Sequence, residues 1–323
     1  MKKILIIKQG ALGDIVMTTP LLESIQQYHS GDDLWIMTTP EFVEIFRRWS
    51  GINVKSIPRK GIHNVILAIA WIRKNHFNRI YDLQSSDRTS VLCALSGAPE
   101  RIGNHPRYPY NIHPAESFKG QCHIFERMQK VLASAGVDCI CNTPILPTSQ
   151  DEKKHVSSWL EKYNLLDTPF VVLHAGASPK HPEKRWPFYK QIGKLLDDRG
   201  VRPVWIGAEA DAELNNMLVD GAGLNATGIF TLAELVELGR QACFAITNDS
   251  GPMHILSCSG IPVYAFFGPT NWRRNHAIGQ SQNVITLQPT DVTGKTITDP
   301  ATSDLGNIPV DDVINRLEKD KVL

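Results

Sequence analysis

Apolar residues in this chain fall into short continuous runs separated by longer stretches where they recur every three or four positions. The first run, Ile4, Leu5, Ile6 and Ile7, is β-branched and ends at Gly10, which predicts a strand buried on both faces. After a loop over residues 10–14, Ile15, Leu21, Leu22 and Ile25 share one side of a helix. Pro20 either kinks that helix or opens its second part behind a Thr19 cap. Strands are predicted at 34–37 and 79–84, and helices at 41–49, 65–76, 88–95 (ending at Gly97) and 125–135 (closed by Gly136). Residues 101–122 are polar and aromatic, rich in Pro and His, and read as a long functional loop.

A turn-rich stretch at 142–150 (Asn142, Thr143, Pro144, Pro147, Thr148, Ser149) reads as a linker. Beyond it the alternation resumes. Helices are predicted at 151–163, 188–199, 210–218, 232–242 and 253–258, and strands at 170–173, 203–206, 226–230, 244–247 and 263–267. A weaker stretch follows until a final helix at 310–318, with either domain open to it as a packing partner, the N-terminal one included. Strands separated by helices mean parallel sheets with crossovers, so the fold class is α/β. Two such series joined by a linker predict two doubly wound, Rossmann-like domains, 1–150 and 151–323. In such sheets ligands sit beyond the carboxyl ends of the strands, which directs attention to the loops that follow them.

Composition changes this picture little. At 323 residues, with 42% hydrophobic and 21% charged residues, the chain is an ordinary globular one. Its net charge of +1 argues against nucleic acid as a partner. The distribution says more: Lys and Arg exceed Asp and Glu by about 5 up to residue 154, and fall short by about 4 after it. Arg47, Arg48, Lys55, Arg59, Lys60, Arg73, Lys74, Arg101, Arg107 and Lys119 carry much of the excess. They form either a scattered solvated face or a surface for an anionic or lipid partner. The six cysteines lack Cys-x-x-Cys spacing and predict reduced, mostly buried thiols. The N-terminal run is too short for a signal-peptide core, and no stretch reaches the ~18 apolar residues of a membrane span. A cytoplasmic location is the expectation.

Five post-strand segments could carry chemistry. Lys8 to Asp14 lacks the Gly-x-Gly-x-x-Gly fingerprint of nicotinamide enzymes, but Gly10 and Gly13 let a ligand approach the backbone. Asp14 would stand at a helix start, as an N-cap or as a base that accepts a proton from an attacking hydroxyl. In Thr247-Asn248-Asp249-Ser250-Gly251-Pro252-Met253-His254 a strand gives way to a helix whose first amides can bind an anion. Taken singly, Ser250 or Asp249 reads as a cap and His254 as a polar residue of the first turn. Gly268-Pro269-Thr270 presents amides and a hydroxyl, or is an ordinary turn. Lys184 can neutralise a diphosphate as a point charge, or be merely solvated. Glu209 can accept from ribose hydroxyls, or be a first-turn helix acid. No cluster of Asp, Glu or His suggests a metal site.

In order along the chain, Gly13-Asp14, Lys184-x-Trp186-Pro187, Gly207-x-Glu209, Asp249-Ser250-Gly251-x-x-His254 and Phe267-Gly268-Pro269-Thr270 resemble glycosyltransferase family 9, the heptosyltransferases of lipopolysaccharide core assembly. The resemblance implies a GT-B fold, with two Rossmann-like domains facing across a cleft that holds the active site. It further implies an acceptor-binding first domain, an ADP-heptose donor held by the second, and an inverting transfer that uses no metal or other cofactor. The implied acceptor is an anionic lipid-linked saccharide, a lipid A precursor, reached peripherally at the cytoplasmic face of the inner membrane. By the same resemblance Asp14 is the general base and Lys184 the phosphate contact. Glu209 is the ribose partner, Asp249, Ser250, Gly251 and His254 form the donor cradle, and Gly13, Gly268, Pro269 and Thr270 complete the donor-binding set. Residues 176–183 and the tail after 285 match nothing in that pattern.

Overall fold

The computed structural model describes residues 1–116, 118, 122–220, 222–289 and 299–323. Within them the chain divides into two compact units, Met1–Pro147 and Thr148–Leu323. Lys119 and parts of the 101–122 and 286–309 stretches lie outside the described residues. Thr148 goes with the second unit because its hydroxyl is bonded to Glu237, and Ser149 caps the helix Gln150–Lys162.

The first unit is built on a five-stranded sheet: β1 (Lys3–Ile7), β2 (Asp33–Thr38), β3 (Ile52–Ser56), β4 (Arg79–Asp82) and β5 (Glu100–Ile102). Their order is β3-β2-β1-β4-β5, and every neighbouring pair is parallel. Ile4, Leu5, Ile6 and Ile7 are all at 0% exposure, as a central strand covered by helices on both faces requires. The core gathers Leu5, Ile7, Met37, Ile80 and Leu92 with Ala68 and Ile72 of the helix Ile62–Asn75.

The second unit has six strands: β6 (Phe170–His174), β7 (Arg202–Trp205), β8 (Leu224–Asn225), β9 (Phe244–Asn248), β10 (Val263–Phe266) and β11 (Val284–Ile285). Their order is β11-β10-β9-β6-β7-β8, again all parallel. Counted from β6, this is the 3-2-1-4-5-6 order of the Rossmann fold, with its reversal between β6 and β9. In the first sheet the reversal falls between β1 and β4.

Several expectations are corrected. Pro20 does not restart its helix, which runs as one element over Leu12–Tyr28. The Thr19 hydroxyl donates to the Val16 carbonyl at 2.8 Å, the carbonyl that proline has no N–H to serve. The helix expected at 41–49 is a 3₁₀ turn, Pro40–Phe42, followed by one helical turn, Val43–Phe46. The strand expected at 226–230 lies earlier, at β8, because 227–229 form a turn and Thr231 caps the next helix. The edge strands β3, β5 and β11 were not anticipated. The final helix, Val310–Lys319, buries Val310, Val313, Ile314 and Leu317 in the core of the second unit with Ile192 and Leu196, not in the N-terminal one. Of the thiols, all free, only Cys93 and Cys258 are buried; Cys122, Cys139 and Cys141 are half-buried and Cys243 is exposed. Among the described residues, no helix is long and apolar enough to cross a membrane.

Candidate functional site

In the second unit the predicted residues follow four adjacent strands, β10, β9, β6 and β7, at their carboxyl ends. The buried Asn248 ends β9 and fixes the segments on either side of it. Its amide donates to the carbonyls of Ala175 and Gly176 after β6, both at 3.0 Å. Its oxygen accepts from the Trp186 amide at 3.1 Å and the Tyr189 hydroxyl at 3.3 Å. One side chain thereby ties the loop after β9 to both ends of the connection between β6 and the helix Tyr189–Asp198, at the order reversal of the sheet.

The next residue, Asp249, accepts from the Lys184 ammonium at 2.7 Å, and both side chains are largely buried. Structure thus joins two residues 65 positions apart that the motifs had only suggested separately. Ser250 stands at the N-cap position of the helix Gly251–Ser257 but makes no side-chain cap bond, so the capping alternative fails. Its hydroxyl instead lies 3.2 Å from His174 Nδ1 and 3.2 Å from the Asn248 carbonyl. His174 ends β6, is buried, and faces Asp211 Oδ2 with Nε2 at 4.0 Å. Burial, reinforced by Arg185 and opposed by Asp211, holds its imidazole well below the usual range. His254 lies one turn into the helix and is buried.

Glu209 opens a 3₁₀ turn after β7 and is exposed, beside Gly228. Gly207 and Gly176 both pack against Asp211: a Cβ at Gly207 would meet the Asp211 Cβ at 2.7 Å, and one at Gly176 would press on the Asp211 carboxylate. After β10, Gly268 is pressed against the Ser303 carbonyl, which a Cβ would meet at 2.4 Å. The buried Gln288 amide donates to the carbonyls of Gly268 and Thr270 at 2.6 and 2.7 Å, fixing the turn through Pro269. Trp186 lies under this region, stacked on Phe266 with centroids 4.3 Å apart, and its indole N–H donates to the Ile308 carbonyl at 2.9 Å. The unmatched tail is therefore part of the support.

In the first unit, Gly13 and Asp14 lie in the first turn of the helix Leu12–Tyr28. Ala11 holds the N-cap position, so Asp14 is not a cap. Its carboxylate is 28% exposed and sits 3.9 Å from the ammonium of Lys8. Lys8 is buried and donates to the Leu83 carbonyl at 3.0 Å. Burial lowers its affinity for a proton, against the opposing pull of Asp14 and Asp82. Asp82 closes β4, buried, accepting from the Tyr110 hydroxyl at 2.5 Å and from the Gln84 and Ser85 amides. Burial raises its carboxyl above the usual range. Lys8, Asn248, His174, Asp211 and Gln288 were assigned no role from the sequence. For the first three the available signal was a polar residue closing a continuous apolar strand.

Residues 68–301 match the family model described as Glycosyltransferase family 9 (heptosyltransferase). The chain is similar to Lipopolysaccharide heptosyltransferase 2 of Escherichia coli (strain K12), 23% identical over 301 residues that cover 83% of each protein. Among solved structures, the glycosyl transferase family 9 protein from Veillonella parvula DSM 2008 aligns with a TM-score of 0.82 at 24% identity, covering 98% of this chain and 96% of that one. The E. coli ADP-heptose lps heptosyltransferase II aligns with a TM-score of 0.73 at 23% identity, covering 99% and 98%. The fold they share with this chain is GT-B, with two Rossmann-like domains.

Proposed function

This chain belongs to glycosyltransferase family 9 (heptosyltransferase), and from that premise we propose that it moves heptose from ADP-heptose onto a lipopolysaccharide core or lipid A precursor, by one inverting displacement without a metal ion. The observation that carries this reading is the Lys184–Asp249 pair at the order reversal of the second sheet, flanked by Ser250, Gly251 and the turn at Gly268, Pro269 and Thr270. The E. coli relative named for ADP-heptose supports the choice of donor.

The donor binds the second unit. Lys184 and the amides at Ser250 and Gly251 face its diphosphate, Glu209 its ribose hydroxyls, and Asp249 lies nearest the sugar. Since Gln288 occupies the carbonyls of Gly268 and Thr270, the Thr270 hydroxyl is left for the ligand. The first unit supplies the base. Asp14 takes the proton from an acceptor hydroxyl while that oxygen bonds to the anomeric carbon and the bond from that carbon to the phosphate oxygen breaks. ADP departs with the added negative charge, which Lys184 and the amides stabilise in place of a metal. Lys8 faces the Asp14 carboxylate as an ammonium fixed by Leu83, a preorganised partner for the ionised base. The acceptor's lipid anchor would bring the protein to the cytoplasmic face of the inner membrane as a peripheral partner.

Calorimetry without metal against ADP, UDP, GDP and dTDP tests the donor. Selective ADP binding that is lost in Lys184→Ala is expected, whereas preference for another nucleotide discards ADP-heptose. Transfer to the lipid acceptor should survive EDTA and invert the anomeric configuration by NMR. Asp14→Asn should keep its melting temperature and ADP binding yet lose at least about 100-fold in kcat. An active Asp14→Asn enzyme would remove the residue from the mechanism.

A further inference from the structure

The helix Ile62–Asn75 buries Ala68 and Ile72 in the first unit's core, yet its opposite side is apolar as well. Ile62, Ile66 and Leu67 are 75%, 60% and 57% exposed, and Ala70 is exposed beside them. An amphipathic helix would carry polar residues there, so this face is not explained by folding. The segment that carries it is charged in one sense. From Ile45 to Tyr81 the sequence contains eight Lys and Arg residues and no Asp or Glu. Arg79 is held by Glu100 and Arg47 by Glu44. Lys55, Arg59, Lys60, Arg73 and Lys74 have no ion-pair partner among the described residues. A groove of about 370 Å³ runs along the helix, with Pro58, Leu67, Ala70 and Trp71 among its apolar walls and Lys55 and Lys74 on its sides.

We propose that this face is the surface by which the protein docks on an anionic lipid bilayer. Exposed Ile and Leu side chains among lysines fit the interfacial zone of a membrane, apolar groups reaching past the headgroups while ammonium and guanidinium groups meet their phosphates. A second copy of the chain would set these cations against their own equivalents. A nucleic acid would leave the apolar side chains without a partner. The position suits the reaction. The segment between β3 and the helix carries Arg59 and Lys60, and the Pro58 carbonyl accepts from Arg88 at 3.3 Å. Arg88 also donates to the Gln9 side chain at 2.8 Å, in the loop that leads to Asp14. Arg88 thereby ties the basic segment beside the helix to the loop that precedes the proposed base. This inference rests on the reading that the acceptor is lipid-linked.

Flotation of the full-length protein with phosphatidylcholine vesicles, with and without phosphatidylglycerol, tests it. Binding is expected only with the anionic lipid, weakening as salt is raised. Replacing Lys55 or Lys74 with Gln should each lower partitioning about fivefold. The double variant Ile66→Asp, Leu67→Asp should lose binding at least about tenfold while its melting temperature, ADP affinity and transfer to a deacylated acceptor stay unchanged. Wild-type failure to float with anionic vesicles, or a double variant that floats like wild type, overturns the proposal. So does a wild-type dimer in ultracentrifugation that the double variant dissociates, since the face would then belong to a second copy. Because ADP affinity is read separately, loss of the donor reading with intact flotation remains distinguishable from the reverse.

Discussion

His174 is the residue whose environment departs furthest from what its letter predicts. It closes the apolar run Val171-Val172-Leu173 and is buried against Ser250 and Asp211. Its proton affinity is lowered chiefly by burial, so the folded protein keeps it neutral at pH values where the unfolded chain, titrating near 6.5, is protonated. Stability is then fully present above about pH 6.5 and is lost as the pH falls from there toward the folded value. Urea midpoints should therefore drop between pH 7 and pH 5, and less so in His174→Gln. Equal drops in the two proteins would remove His174 as their source. Sequence shows a histidine after a strand; what it cannot show is Asp211, 37 positions on, whose carboxylate the fold brings to the other ring nitrogen. Lys8 was hidden for a similar reason. A lysine is read as solvated by default, and only the packing of Leu83 and Met128 around it reveals a buried side chain.

At the scale of elements, the central strands were legible and the edges were not. Residues 4–7, 170–173 and 244–247 are covered on both faces and so appear as continuous apolar runs. By contrast β8 and β11 are two residues each and β3 is half-exposed, which leaves no run to read. The restart considered at Pro20 and the helix at 41–49 misled in the opposite direction: the first is one continuous helix, and the second is a 3₁₀ turn followed by a single helical turn. What joins the loops after β6 and β9 is Asn248, which the sequence segment included without a role. Asn248→Ala would strand the Trp186 amide and the Ala175 and Gly176 carbonyls in a dry interior, at about 2–4 kcal/mol. Denaturant titration should show that loss together with weaker ADP binding. An undiminished ADP affinity in a folded Asn248→Ala protein would mean the two loops keep their spacing without it.

For the whole molecule, the two series of strands and helices announced two domains, and the family resemblance announced their shared architecture. The division falls between Pro147 and Thr148, inside the predicted linker. Every donor-binding residue proposed in the second unit, with Asn248, His174, Asp211, Gln288 and Ile308 behind it, lies beyond that point. Each unit has its own core. Residues 148–323 expressed alone should accordingly unfold cooperatively and bind ADP within about tenfold of the intact chain, since 1.4 kcal/mol is the margin a few peripheral contacts provide. A folded fragment that does not bind would place part of the nucleotide site in the first unit.

The pairing of Lys184 with Asp249 also bears on inhibitor chemistry. The Lys184 ammonium is paired with a carboxylate of the protein's own, so a group proposed to bind it must compete with that charge or add to it. A singly charged mimic of the diphosphate exchanges one anion for another and gains little, whereas a group with two or more negative charges can share the ammonium and still leave a net attraction. Phosphonate and bisphosphonate analogues are thus the sounder starting scaffolds, and carboxylate replacements should fail through competition with a side chain the protein already carries.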